Sequence, residues 1–166
     1  MSDLKSYCGI LIERGADSAR IISPKDIVVA PWTIMKCMYG CPSYGHNRAC
    51  PPYAPSCDTT RRILDCYSRA IIFRIRSMER ATPAALTCAR SLGNNGYYKA
   101  IAFGVGACSL CKQCQLNACP HPEKVAPSME ACGIDVIATA RNAGYEVDIP
   151  PREGSPLSCF GLILVD

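Results

Sequence analysis

Four cysteines and a proline fall within thirteen residues in CSLCKQCQLNACP, from Cys108 to Pro120. The spacing is Cys108-x2-Cys111-x2-Cys114-x4-Cys119-Pro. Two-residue gaps used twice in succession wind the backbone tightly and turn three thiolates towards one point. A cubane with an iron at each ligand corner needs that arrangement, whereas zinc sites more often use two separated Cys-x2-Cys knuckles. The run is close to that of bacterial ferredoxins, with one extra residue before the last cysteine. It predicts a 4Fe-4S cluster on Cys108, Cys111, Cys114 and Cys119, with zinc as the alternative and free redox thiols a third. In two-cluster ferredoxins the cysteine before proline ligates the other cluster, so Cys119 can serve either site. The small residues Gly104, Gly106, Ala107 and Ser109 would let backbone N–H groups approach the sulfurs and tune them.

A second constellation precedes it: Cys37-x3-Cys41-x8-Cys50, with Cys57 further on, in a loop carrying Pro42, Pro51, Pro52 and Pro55. Three thiols here can hold another metal, so one or two clusters are expected. Cys57 is the candidate fourth thiol, and His46 would be a fourth ligand only of a zinc site. A lone loop histidine is more often an exposed polar residue. Three cysteines without a firm fourth would leave one iron open to a substrate, which keeps an enzymatic reading in play. The remaining cysteines read as small hydrophobes: Cys66 and Cys88 on predicted helices, Cys8 and Cys159 on predicted strands, and Cys132 beside a break at Gly133.

The elements that must position these loops follow from pattern and punctuation. YCGILIER (7 to 14) reads as a strand, and RIISPKDIVVAPW as two more, broken at Ser23-Pro24. From Cys37 to Cys57 no period is sustained, which predicts a long functional loop. Asp58 or Thr59 would cap a helix through TTRRILDCYSRA, and AIIFRIR (70 to 76) is a buried strand. Thr82-Pro83 and Gly93 bracket a helix at about 83 to 92. YYKAIAFGVG (97 to 106) is a strand entering the second cysteine loop. A helical stretch between Ser128 and Gly144, broken near Gly133, and a closing strand in CFGLILVD complete the chain. The expectation is an α/β fold in a single domain (1 to 166), a mixed sheet flanked by helices, with the two cysteine-rich metal-binding loops at strand ends. If IVVAPW and AIAFGVG are parallel neighbours, both loops meet at the edge where open parallel sheets bind ligands.

Composition narrows the classes. The chain has 166 residues, 49% of them hydrophobic, enough to bury one core. Thirteen cysteines, an odd number, and an amino terminus without a secretory apolar run point to a cytoplasmic chain whose thiols stay reduced and serve metal or redox chemistry. No apolar run is long enough to span a membrane. The net charge of +4 resides between Asp58 and Arg90, where seven arginines face Asp58, Asp65 and Glu79. Such a segment can be a solvated face or can dock an acidic redox partner; no nucleic-acid signature accompanies it. There is no P-loop, Gly-x-Ser-x-Gly, dinucleotide fingerprint or paired-histidine zinc motif. Lys99 reads as an edge-strand lysine.

CMYGCPSYGHNRACPPYAPS, then GYYKAIAFGVGACSLCKQC, then CPHPEKVAPSMEACGIDV resemble a family of small prokaryotic proteins known as predicted metal-binding proteins of unknown function (domain of unknown function 2284). The resemblance runs from about Ala19 to Gly144 and includes the closing FGLILV strand. It implies metal binding through Cys37, Cys41, Cys50, Cys108, Cys111, Cys114 and Cys119, and names no reaction. The leading expectation is therefore an iron-sulfur protein that passes single electrons to or from a partner enzyme. A zinc-stabilised interaction module and an enzyme with an open-coordination cluster are the alternatives.

Overall fold

The computed structural model describes residues 4–149 and 158–166. Its centre is a four-stranded sheet in the order β1-β2-β4-β3, formed by β1 (Ala16–Ile22), β2 (Ala70–Ile75), β3 (Ile101–Phe103) and β4 (Cys159–Leu164). All three strand pairings are antiparallel. The two central strands are apolar at nearly every position because both faces are covered. Ile71, Phe73, Ile75, Ile163 and Val165 enter one core and Ala70, Ile72, Phe160, Leu162 and Leu164 the other. With a side-chain period of two, sliding either strand by one residue would exchange the two sets, so the packing on both faces fixes the register.

Helices α1 (Leu4–Glu13) and α4 (Met78–Asn94) cover the first face. The strand expected over 7 to 14 is part of α1. Leu4, Tyr7 and Leu11 are its buried residues, and their spacing of three and four is helical. The apolar richness of YCGILIE had masked that period. In α4 the buried face runs Ala81, Ala84, Ala85, Cys88, Ala89 and Leu92. It starts before Pro83, so the helix begins at Met78 and carries the proline inside. Thr82 caps nothing there; its Oγ1 accepts from the Val105 N–H at 3.2 Å and ties α4 to the chain leaving β3.

The second face is covered by α3 (Cys57–Leu64), α5 (Val136–Asn142) and the segment between Ala126 and Ile134. The cap of α3 is Ser56, whose Oγ accepts from Thr59 N at 3.2 Å, rather than Asp58 or Thr59. Thr60 of α3 donates to Cys132 O at 2.7 Å, and Thr139 of α5 accepts from Val28 N at 3.0 Å. Each of these buried hydroxyls therefore fastens a helix to a loop that has no place in the sheet.

The run 27–30 is not a strand of the sheet. It makes one bridge, Val29 to Ile134, flanked by Ala30 N to Gly133 O and Asp135 N to Val28 O, both 2.8 Å. Pro31 then opens α2 (Trp32–Gly40). The strand expected over 97 to 106 shrinks to three residues because Ala100 N turns back to Tyr97 O at 2.9 Å and Gly104 leaves to pair with Pro127 O at 2.8 Å. The helical stretch after Ser128 divides as expected at Gly133, between the 3-10 turn Glu130–Cys132 and α5.

Where β4 crosses β2, Gly161 lies opposite Phe73. A Cβ at Gly161 would come within 2.4 Å of the ring of fully buried Phe73, which has no room to yield. Gly161→Ala should therefore lower unfolding free energy by about 1–3 kcal/mol in denaturant titration, the usual cost of overpacking. A change within experimental error would mean that the two central strands are not packed this closely.

Candidate metal centre

Cys37 lies in the last turn of α2 and Cys41 closes it, the Cys41 N–H donating to Cys37 O at 3.2 Å. Four residues apart, they lie one helical turn from each other. The chain then reverses through tight turns, with Tyr44 N to Cys41 O at 3.2 Å, Gly45 N to Pro51 O at 2.9 Å and Cys50 N to Asn47 O at 2.9 Å. These turns bring the buried Cys50 back to the helix end. Cys37, Cys41 and Cys50 line one cavity of about 560 Å³.

The other constellation has almost no regular structure of its own between Ala107 and His121. Cys108, Cys111, Cys114 and Cys119 nevertheless line a common cavity of about 190 Å³, together with His46 and His121. The segment His46–Cys50 holds the loop in place. The buried Asn47 donates from Nδ2 to Cys108 O at 2.7 Å and accepts the Ala49 N–H on Oδ1 at 3.0 Å. Arg48 donates its backbone N–H to Cys114 Sγ at 3.3 Å and its guanidinium to Leu116 O at 2.5 Å. His121 N donates to Cys119 Sγ at 3.4 Å. Backbone N–H groups aimed at thiol sulfur are suited to a ligating thiolate, whose charge they share.

The two sets meet at Cys50. Burial first, then the charges of Cys41, Cys37, Cys108 and Cys114, push its thiol up to about 11. Cys37 is also raised, by burial, then by Cys41 and Glu130. Cys37 and Cys50 are thus held protonated at neutral pH.

Cys57 stands elsewhere. It begins α3, and Gly133, at φ 80°, passes so close that a Cβ there would come within 2.3 Å of Cys57 Sγ. It lines a different cavity, of about 480 Å³, with Pro31, Ile34 and Met35. Its charge is not among those acting on Cys37 or Cys50. The structure therefore brings together seven of the eight candidate thiols in two adjoining groups and leaves Cys57 beside Cys132. His46 sits with the four-thiol group instead of with Cys37 and Cys41.

Of the thiols expected to pack as hydrophobes, Cys88 and Cys132 are buried and burial pushes both up to about 12. Cys66 is exposed on the chain just beyond α3, its Sγ 3.4 Å from Arg62 O. Cys159 is half-buried and faces the cavity of Cys37, Cys41 and Cys50, as does Glu130. Sequence reasoning missed Cys159, Glu130, Asn47, Arg48 and His121 as neighbours of the thiols. The dipeptides Asn47-Arg48 and His121-Pro122 each lie one residue away from a cysteine and were the available signal.

Among the described residues, no three Cys, His, Asp or Glu side chains gather closely enough to hold a single metal ion. The thiols line common cavities without converging on one point. A family model described as "Predicted metal-binding protein (DUF2284)" matches residues 20–165. The chain belongs to this family. No curated protein and no solved structure matches it. Membership makes it a predicted metal-binding protein, and the seven thiols and two imidazoles on the two cavities are side chains of the kind that suit soft or borderline metals. No helix among the described residues is long and apolar enough to cross a membrane.

From this placement, Cys57→Ser should keep the metal content of the parent protein, whereas Cys50→Ser should lose a large part of it, both by elemental analysis of the purified variants. Equal losses would put Cys57 in the ligand set.

Proposed function

We propose that the chain is an iron-sulfur protein that carries single electrons to or from a partner enzyme. Cys108, Cys111, Cys114 and Cys119 would hold a 4Fe-4S cluster, and Cys37, Cys41 and Cys50 a second metal centre. When bound, such a cluster supplies a one-electron couple whose potential follows charge, hydrogen bonds to sulfur and exposure. The observation that carries the reading is the four-thiol cavity with backbone N–H groups of Arg48 and His121 directed at two of its sulfurs.

The zinc reading keeps one observation in its favour. His46 and His121 both line the four-thiol cavity, and mixed sulfur and imidazole donors are characteristic of zinc. The protein would then be a module whose folding free energy the metal supplies.

The deciding measurement is the visible spectrum, with iron, sulfide and zinc analysis, of protein purified without oxygen. Broad absorbance near roughly 400 nm with equal iron and sulfide is expected, and about eight irons per chain would mean a second cubane. A colourless protein with stoichiometric zinc would replace this reading with the structural one.

The partner's docking face lies around the cysteine loops. The arginines between Asp58 and Arg90 are largely engaged within the molecule. Arg61 pairs with Asp58, Arg69 with Asp166 and Arg76 with Asp17, Arg90 donates to Glu123 O, and Arg74 lies over the Tyr145 ring. Beside the thiols Lys112 is exposed, Arg48 is exposed while its guanidinium donates to Leu116 O, and α2 presents Trp32, Met35, Met38 and Tyr39 to solvent next to Cys37 and Cys41. An acidic redox protein fits such a surface. Its rate of electron exchange with this chain should fall as ionic strength rises from about 0.05 to 0.5 M, where the screening length shortens several-fold. A rate indifferent to salt would contradict an acidic partner.

A further inference from the structure

We propose that the cavity beside Cys37, Cys41 and Cys50 is a binding site for a small organic molecule with a largely apolar body and no net charge. The proposal rests on the metal reading of these three thiols only for what the molecule meets at its inner end. At about 560 Å³ the cavity lies within the range of roughly 300–1,000 Å³ typical of small-molecule sites. It is recessed between α2, the start of α5, the chain leaving β3 and the start of β4, and Trp32, Val105, Ile134, Ile137 and Phe160 supply its apolar walls.

The polar groups are few and stand on the same lining as the thiols. Lys36 holds its ammonium 4.9 Å from the centre of the Trp32 ring, and Glu130 places a carboxylate near enough to act on both Cys37 and Cys159. Asp135 also lines the cavity, but its carboxylate caps α5 by accepting Ala138 N at 2.9 Å. One cation against two acids disfavours a nucleotide or other polyanion, and a largely apolar lining disfavours any charged group that would lose its water there. An uncharged molecule meets neither penalty.

The thiols give the cavity its second property. Cys37, Cys41 and Cys50 stand on this lining with Cys159 and Glu130. If a metal is held by the three thiols, a neutral oxygen, nitrogen or sulfur donor on the molecule would compete with these two side chains for it.

The test uses Nile red, an uncharged dye that brightens in apolar surroundings, titrated into the full chain purified without oxygen, with metal measured on the same samples. Saturable binding of one dye per chain is expected. Ile137→Trp, which fills the cavity from α5, should weaken it at least about tenfold, which is about 1.4 kcal/mol. Ile137→Phe should weaken it by less and covers the case in which the larger ring disturbs folding, judged by circular dichroism. Ile12→Gln, on the exposed face of α1 and outside this cavity, should leave binding unchanged, and excess ATP should not displace the dye. Absence of saturable binding, binding insensitive to both Ile137 variants in folded protein, loss with Ile12→Gln or displacement by ATP would each overturn the proposal. Dye bound by metal-free protein would keep the cavity and sink the metal reading; full metal with no dye would sink the cavity alone.

Discussion

Asn47 is the residue on which the geometry of both cysteine groups depends. The loop from Ala107 to His121 contains no helix or strand, so nothing within it fixes the positions of its four thiols. Asn47, buried between the loops, donates to Cys108 O and accepts from Ala49 N, using both ends of its amide. A buried amide left unpaired would cost about 1–3 kcal/mol, so the two loops are held in one relative arrangement by the penalty for any other. Arg48, the next residue, extends the same seam to Cys114 and Leu116. The carbonyl of Asn47 then accepts Cys50 N, which sets the thiol common to both groups.

The sheet positions these loops indirectly. In an open parallel sheet ligands gather where strand ends diverge, but here every strand pairing is antiparallel and the loops arise from a helix end and a three-residue edge strand. They are brought together by the layer on the second face. Thr60 ties α3 to the 3-10 turn at Cys132, Val29 bridges Ile134, and Gly104 pairs with Ser128 and Pro127. These contacts draw α2 and the end of β3 onto the same segment, 126–134, so that segment is the floor from which both cysteine loops rise.

What could be read in the sequence divides along the same line. The central strands and the closing strand were legible because burial on both faces leaves an uninterrupted apolar run. The two cysteine constellations were legible because close spacing of thiols is itself chemical information. Helix α1 was not, since a ten-residue apolar segment carries helical and extended patterns at once and only the packing of Tyr7 and Leu11 chooses between them. Pro83 misplaced the start of α4 for a similar reason: a proline usually marks a first turn, yet the alanine face that holds this helix begins earlier. Cys57 was grouped with Cys50 by proximity in the chain, but the helix it opens carries it towards Gly133. Cys159 does pack on its strand against the first core, as read, and its position, first in β4, also sets it on the cavity lining.

The electrostatics of the thiols bind the site and the fold into one problem. Cys50 stands where the two groups adjoin. Burial, then the charges of Cys41, Cys37, Cys108 and Cys114, raises its thiol to about 11, and burial, then Cys41 and Glu130, raises Cys37. A metal that took either thiol as a ligand would release the proton it holds. The backbone N–H groups at Cys114 and Cys119 work in the opposite direction, sharing negative charge once it forms. With Cys37 and Cys50 raised and N–H donors aimed at Cys114 and Cys119, positive charge among these thiols would bring an electrostatic gain, which gives physical content to the chain's place in a predicted metal-binding family.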